Sequence, residues 1–117
     1  MELEEVGKVW FSVQKAYYDS LGHGATHPLW EESDYSSKLS VMRQIATVLD
    51  HPEWGPGDFH EYWVKAKRQA GYEFGETYDL VTATHPKMVE YALLPDTEKT
   101  GYAIFLALIR AMQEGPK

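Results

Sequence analysis

Trp63 and Lys67 stand four residues apart, a spacing that puts two side chains on one face of a helix. An indole beside an ammonium can hold a flat base and meet a phosphate, and stacking on an aromatic ring contributes roughly 1–3 kcal/mol per base. His85 precedes Pro86, which holds its backbone extended and fixes the direction of its ring. From there it could donate to a phosphate oxygen. Lys67, Arg68, Lys87 and Lys99 supply cations, and Tyr72, Phe74, Tyr78 and Tyr91 could wall a flat ligand. Each has a plainer reading too. Trp63 continues an apolar stripe with Phe59, Ala66 and Ala70 and suits a core. His85 suits a turn histidine bonded to backbone, and most lysines are simply solvated. Aromatic residues in paired strands pack across the pair. Residues 58–99 hold five Lys/Arg and eight Asp/Glu, so a basic cleft there requires sorting in three dimensions.

Other chemistries find less support. His23 and His27 are four apart, but Gly22, Gly24 and Pro28 make the segment a loop, and no third ligand stands nearby; no metal is expected. The chain has no cysteine, which excludes disulfides and thiolate chemistry and allows a reducing compartment. Neither a Gly-x-Ser-x-Gly elbow nor a phosphate-binding glycine loop is present, and no carboxylate pair is singled out. Neither a catalytic residue nor a cofactor is expected.

The chain that must position these residues has 117 of them, a single-domain length that can bury a core without staples. Its start, Met1-Glu2-Leu3-Glu4-Glu5, is acidic, where a secretory signal would be basic and then apolar. The longest apolar run, Ala103 to Ile109, is too short to span a bilayer. A cytoplasmic protein without a membrane partner is expected. The formal charge of −7 argues against polymeric nucleic acid, whose backbone demands a basic surface. A small anion needs only two or three well-placed cations.

The periodicity predicts four helices. Leu3, Val6, Trp10, Val13 and Tyr17 form one face of the first, over 3–21. Ser33 or Asp34 caps the second, whose stripe is Tyr35, Leu39, Met42, Ala46 and Leu49, reinforced by Val41, Ile45 and Val48. The third starts at Asp58, with Glu61 at capping-box spacing, and closes at Gly71. The last begins at Pro95-Asp96 and is apolar on most sides from Tyr102 to Met112, which places it centrally in the core. Between the last two, Tyr72/Phe74 and Val89/Tyr91 suit short paired strands. Thr26-His27-Pro28 is echoed by Thr84-His85-Pro86. The fold class is therefore mostly α with a small β-hairpin element, in two pseudo-symmetric helix–extended–helix halves. A cleft between such halves is a common place for a ligand.

His60, Trp63 and Lys67 are followed by Gly71-Tyr72-Glu73-Phe74-Gly75, Tyr78-Asp79, His85-Pro86-Lys87-Met88-Val89-Glu90-Tyr91 and Leu94-Pro95-Asp96-Thr97-Glu98-Lys99. That order resembles the RyR domain, the repeat first described in ryanodine receptors and found also as small stand-alone bacterial and bacteriophage proteins. Tyr72 stands where the family usually has Trp, Glu90 replaces a proline, and Thr100-Gly101-Tyr102 replaces a stretch that often carries Asp or Asn. The core motif covers 58–113. Trp30-Glu31-Glu32, with Lys38 and Ser40, is similar to the N-terminal part of stand-alone members, so 3–51 forms an N-terminal helical half of one RyR-like domain.

The resemblance implies a binding module rather than an enzyme. In the receptors, paired repeats bind an adenine nucleotide, with tryptophan on the base and basic residues and histidine on the phosphates. Carried over, Trp63 stacks while Lys67 and His85 meet phosphate; His60, Tyr78, Tyr91, Lys99 and Tyr102 complete the candidate ligand-binding set. The implied ligand is a nucleotide or nucleotide-derived signal. A phage setting would make the protein an anti-defence sponge in the host cytoplasm. Because the receptor site uses two facing repeats, a single domain would form a homodimer or use its own degenerate first half. The alternative is a protein-interaction or assembly module built on the aromatic surface, which four Trp and eight Tyr also suit.

Overall fold

The computed structural model describes residues 2–22 and 27–114. They form α1 (Leu3–Ser20), α2 (Tyr35–Asp50), α3 (Pro56–Gln69) and α4 (Asp96–Glu114), with two short strands, β1 (Glu73–Phe74) and β2 (Thr84–His85). Single 3-10 turns stand at Trp30–Glu32 and Tyr91–Leu93. The fold is mostly helical with a small β element, as the periodicity implies. The chain divides into two compact units, Met1–Glu53 with Ile104–Lys117, and Trp54–Ala103. Of the two Thr-His-Pro triplets, the second supplies β2. Thr26 of the first, like the histidine at 23, lies outside the described residues, and His27-Pro28 is irregular chain.

In the first unit, Val6, Ile45 and Ile109 are fully buried, each contributing roughly 1.5–3 kcal/mol by leaving water. The buried faces are rotated from the predicted stripes. In α1 the face runs through Val6, Gly7, Trp10, Phe11 and Tyr18, not through Tyr17. In α2 only Ile45 and Val48 are buried, and Tyr35, read as part of the stripe, is 72% exposed. Its cap is Asp34, whose carboxylate accepts the Ser37 N–H at 2.8 Å. Within this unit α4 buries Phe105, Leu106 and Ile109 and exposes Ala107 and Ala111, so its exposed side is a narrow alanine stripe. Trp10 packs on Phe105 with ring centroids 4.8 Å apart.

Trp30 lies edge-on to Phe11 at 5.3 Å and presses against the backbone of α1 at Gly7. A Cβ placed on Gly7 would stand 2.5 Å from Cζ3 of the indole. Glycine is required there for space rather than for backbone conformation.

In the second unit, α3 starts three residues earlier than its capping signal suggests, with Gly55 and not Asp58 at the N-cap. Pro56 opens the helix with the fixed φ that suits a first turn, and Asp58 reaches back to accept the Gly55 N–H at 2.9 Å. The helix ends in a left-handed turn at Gly71, φ +93°, a conformation in which side-chain-bearing residues are strained. That turn sends the chain into β1.

β1 pairs with β2 in parallel, Glu73 opposite Thr84 and Phe74 opposite His85. The expected hairpin partner, Val89/Tyr91, is not a strand. The carbonyl of Val89 is taken by a histidine side chain, and Tyr91 opens a 3-10 turn. The reversal that makes a parallel pair possible lies inside the connection. There Asp79 and Thr84 exchange backbone hydrogen bonds of 3.1 Å each way, and Asp79 Oδ1 accepts the Val81 N–H at 2.8 Å.

Gly7→Ala tests the close approach in the first unit. Removing a helical glycine ordinarily gains about 1 kcal/mol, but forcing a methyl into a packed indole costs about 1–3 kcal/mol. Urea denaturation is expected to show a net loss of stability for Gly7→Ala, with the sign reversed from that of an ordinary exposed helical site.

Candidate functional site

His60 is the one charged or polar residue buried in the core among the described residues, with no solvent exposure. Its Nε2 lies 2.6 Å from the Val89 carbonyl oxygen and its Nδ1 2.8 Å from the Tyr102 hydroxyl. A carbonyl only accepts, so Nε2 carries the proton and donates. Nδ1 of the neutral ring then accepts from the Tyr102 O–H. Burial pushes the His60 pKa below its ordinary value, opposed by the hydrogen bond to Val89, and the ring stays neutral. Both nitrogens are committed, and the residue offers no surface to a ligand. The sequence placed His60 in the ligand-binding set; the structure makes it an internal tie between α3, the chain at Val89 and the start of α4.

The His60 ring also faces Trp63, with centroids 5.8 Å apart and planes 20° from parallel. Trp63 meets His85 edge to face at 4.9 Å. Lys67, one turn along α3, holds Nζ 5.8 Å from the Trp63 ring centroid and 4.8 Å from that of Tyr72. Tyr78 lies 4.9 Å from His85, centroid to centroid, and 6.5 Å from Tyr72. The second unit thus brings Trp63, Lys67, Tyr78 and His85 of the predicted set together, with Tyr72 closing the group. An ammonium between two aromatic faces is held by their quadrupoles, worth about 0.5–1 kcal/mol at exposed sites and more when desolvated.

His85 is positioned by its pairing with Phe74. Its Nδ1 accepts the Lys87 N–H at 3.1 Å, which puts the proton of the neutral ring on Nε2. No buried side-chain nitrogen or oxygen among the described residues lacks a partner, so Nε2, which has none there, reaches solvent as a donor. Burial, with the charges of Lys87 and Lys67, lowers the His85 pKa to about 4, against a smaller opposing effect of Glu98. The pattern glycine at 75 serves this placement, since a Cβ there would lie 2.5 Å from Cβ of Thr84.

The other predicted residues form a second group around His60. Tyr91 lies 6.1 Å from the His60 ring and 6.4 Å from Tyr102. Lys99 donates to the Ala92 carbonyl at 3.2 Å and stands 5.6 Å from the Tyr91 ring centroid, so it fastens the 3-10 turn to α4. Lys87 is held by Glu98 at 2.9 Å, an ion pair whose acidic side chain is only 20% exposed. Trp54 is half-buried, with its ring 5.6 Å from that of Tyr62.

The sequence reading missed the alignment of α3. Its buried face runs through Phe59, His60 and Val64, with Trp63 and Lys67 half-buried, while Ala66 and Ala70 of the predicted stripe are exposed. It also missed the Val89 carbonyl, which no side-chain pattern marks. Among the described residues no group of three or more His, Asp or Glu could hold a metal ion. No helix there is long and apolar enough to cross a membrane.

A small helical domain with an aromatic and cationic cluster behind a His-Pro strand is the class these features define. The RyR domain family model matches residues 37–113, and the chain belongs to that family. The match begins inside α2, well before the motif core read from 58. No curated protein and no solved structure matches the chain.

The two histidines predict an acid response. Both have folded pKa values below the ordinary 6.5, so the unfolded chain takes up these protons first as pH falls. Their effect on stability is absent above that value and grows destabilising as pH drops towards the folded ones, for His85 between 6.5 and about 4. Asp34 is lowered from 3.8 by its bonds to Ser37 and titrates below that window. Urea midpoints are expected to fall across the window, and to fall less steeply in His85→Gln.

Proposed function

We propose that this RyR-domain chain is a non-catalytic binding domain for a nucleotide or a nucleotide-derived signal molecule. The observation that carries the reading is the grouping of the Trp63, Tyr72 and Tyr78 rings with the Lys67 ammonium and with His85, whose Nε2–H has no partner among the described residues. A flat base needs an open aromatic face, and an anionic group needs donors that are already desolvated and directed. Tyr78 is 58% exposed and offers the more open ring. Trp63, engaged by His60, Lys67 and His85, holds the group together and presents only part of its surface. Phosphate arriving at Lys67 exchanges cation–π contacts for a charge-assisted hydrogen bond, the stronger interaction. A domain that only holds its ligand suits sequestration of a messenger, as the phage setting would use it, since sequestration needs stoichiometry and not turnover.

A second reading draws on one observation. The turn after Asp79 displays Leu80 at 72% and Val81 at 94% exposure, with Phe74 and Tyr78 also more than half exposed. Apolar side chains on a hydrogen-bonded turn suit a protein-interaction or assembly surface.

Calorimetry of the intact chain with ATP, ADP-ribose, cyclic ADP-ribose and cyclic dinucleotides separates the two. The first reading predicts micromolar or tighter binding of at least one, with the ligand recovered unchanged by chromatography. Tyr78→Ala should weaken it by roughly 1–3 kcal/mol, and Trp63→Ala should abolish it with the circular dichroism spectrum retained. No heat with any of them, together with a dimeric mass by sedimentation, favours the assembly reading.

A further inference from the structure

Arg68, Gly71, Tyr72, Glu73, Phe74 and Met88 line an open groove of about 360 Å³ where the end of α3 meets β1. Trp63, Lys67 and His85 do not line it; the groove joins their cluster through Tyr72, whose ring also faces Lys67. The cations of the cluster already have partners that a phosphate would have to displace. Lys67 stands over two rings, Lys87 is paired with Glu98, and Lys99 donates to a carbonyl. Arg68 is exposed and enters no ion pair among the described residues. Glu73, which also lines the groove, is likewise in no ion pair among the described residues. Phe74 is 56% exposed, and Gly71 leaves open space where a side chain would stand. Met88, 4% exposed, gives the groove an apolar floor.

The geometry points to this groove as an anion subsite that takes a single nucleoside phosphate, with Arg68 forked on the phosphate, Phe74 against the base and Glu73 accepting from sugar hydroxyls or an exocyclic amine. The assignment rests on the nucleotide reading above and moves its phosphate contact from Lys67 to Arg68. Guanidinium matches phosphate bidentately and is weakly hydrated, so it gives up water more readily than an ammonium does. A carboxylate beside it disfavours a bare dianion and favours a ligand that brings donors as well as charge. The volume is near the lower end of the ~300–1,000 Å³ range of ligand pockets, enough for a mononucleotide.

Amide chemical shifts of the intact chain, followed during titration with AMP, adenosine and inorganic phosphate, test the assignment. AMP should move the amides of 68–74, and adenosine should bind roughly tenfold or more weakly for lack of the charged hydrogen bonds. Arg68→Gln should bring AMP down to the adenosine level. Phe74→Ala should weaken both compounds, and Lys65→Gln, exposed on the same helix and outside the groove, should change neither. Wild-type AMP affinity in Arg68→Gln, or shifts confined to the surroundings of Trp63 and His85, overturns the groove assignment and leaves the nucleotide reading standing. No shifts at millimolar AMP also overturns it, while the calorimetric panel of larger nucleotides decides the broader reading separately.

Discussion

A neutral imidazole without solvent contact holds the second unit together. His60 must give its Nε2 proton to the Val89 carbonyl, because that oxygen cannot donate, and the Tyr102 hydroxyl must then turn its proton towards Nδ1. Two hydrogen bonds thus tie three chain segments that are far apart in sequence. Each contributes only about 0.5–1.5 kcal/mol net when made, but a buried partner left unpaired costs about 1–3 kcal/mol. The arrangement therefore constrains more than it stabilises: other packings of α3 against Val89 and α4 leave a polar group stranded.

The candidate site inherits that constraint. With His60 fixed, Trp63 is fixed beside it, and Lys67 follows one helical turn on. Gly71 then turns the chain back so that Tyr72 can cover the Lys67 ammonium. The parallel pairing of β1 with β2 brings His85 to the edge of the indole. Two of the motif glycines serve different needs, conformation at Gly71 and space at Gly75. His85 reaches its place with one nitrogen satisfied by the Lys87 N–H and the other without a partner among the described residues. Its neutrality follows from burial near two lysines.

Much of this was legible in the residues. The four helices, the stop at Gly71, the extended backbone at His85-Pro86 and the adjacency of Trp63 and Lys67 all follow from local rules, and the ordered motifs point to the family. The remainder depends on contacts between distant positions. A hydropathy stripe gives alanine too much weight and histidine too little, so it runs through Ala66 and Ala70 where the inner face of α3 runs through His60 and Val64. Two-residue parallel strands leave no alternation to detect, and no residue pattern marks the Val89 backbone as the partner of a side chain. The roles of Lys87 and Lys99 were equally hidden, since a lysine held by Glu98 or by the Ala92 carbonyl looks in sequence like any solvated one. That Arg68 enters no ion pair among the described residues is likewise visible only once those partners are known.

The most direct test of this account is long-range nitrogen–proton correlation of the imidazole rings in the intact chain at neutral pH. It reads the protonation of each nitrogen separately. The account predicts that His60 and His85 are both neutral with the proton on Nε2, and that the His60 proton is protected from solvent exchange while that of His85 is not. A cationic pattern at either ring, or a proton on Nδ1 of His60, would contradict it.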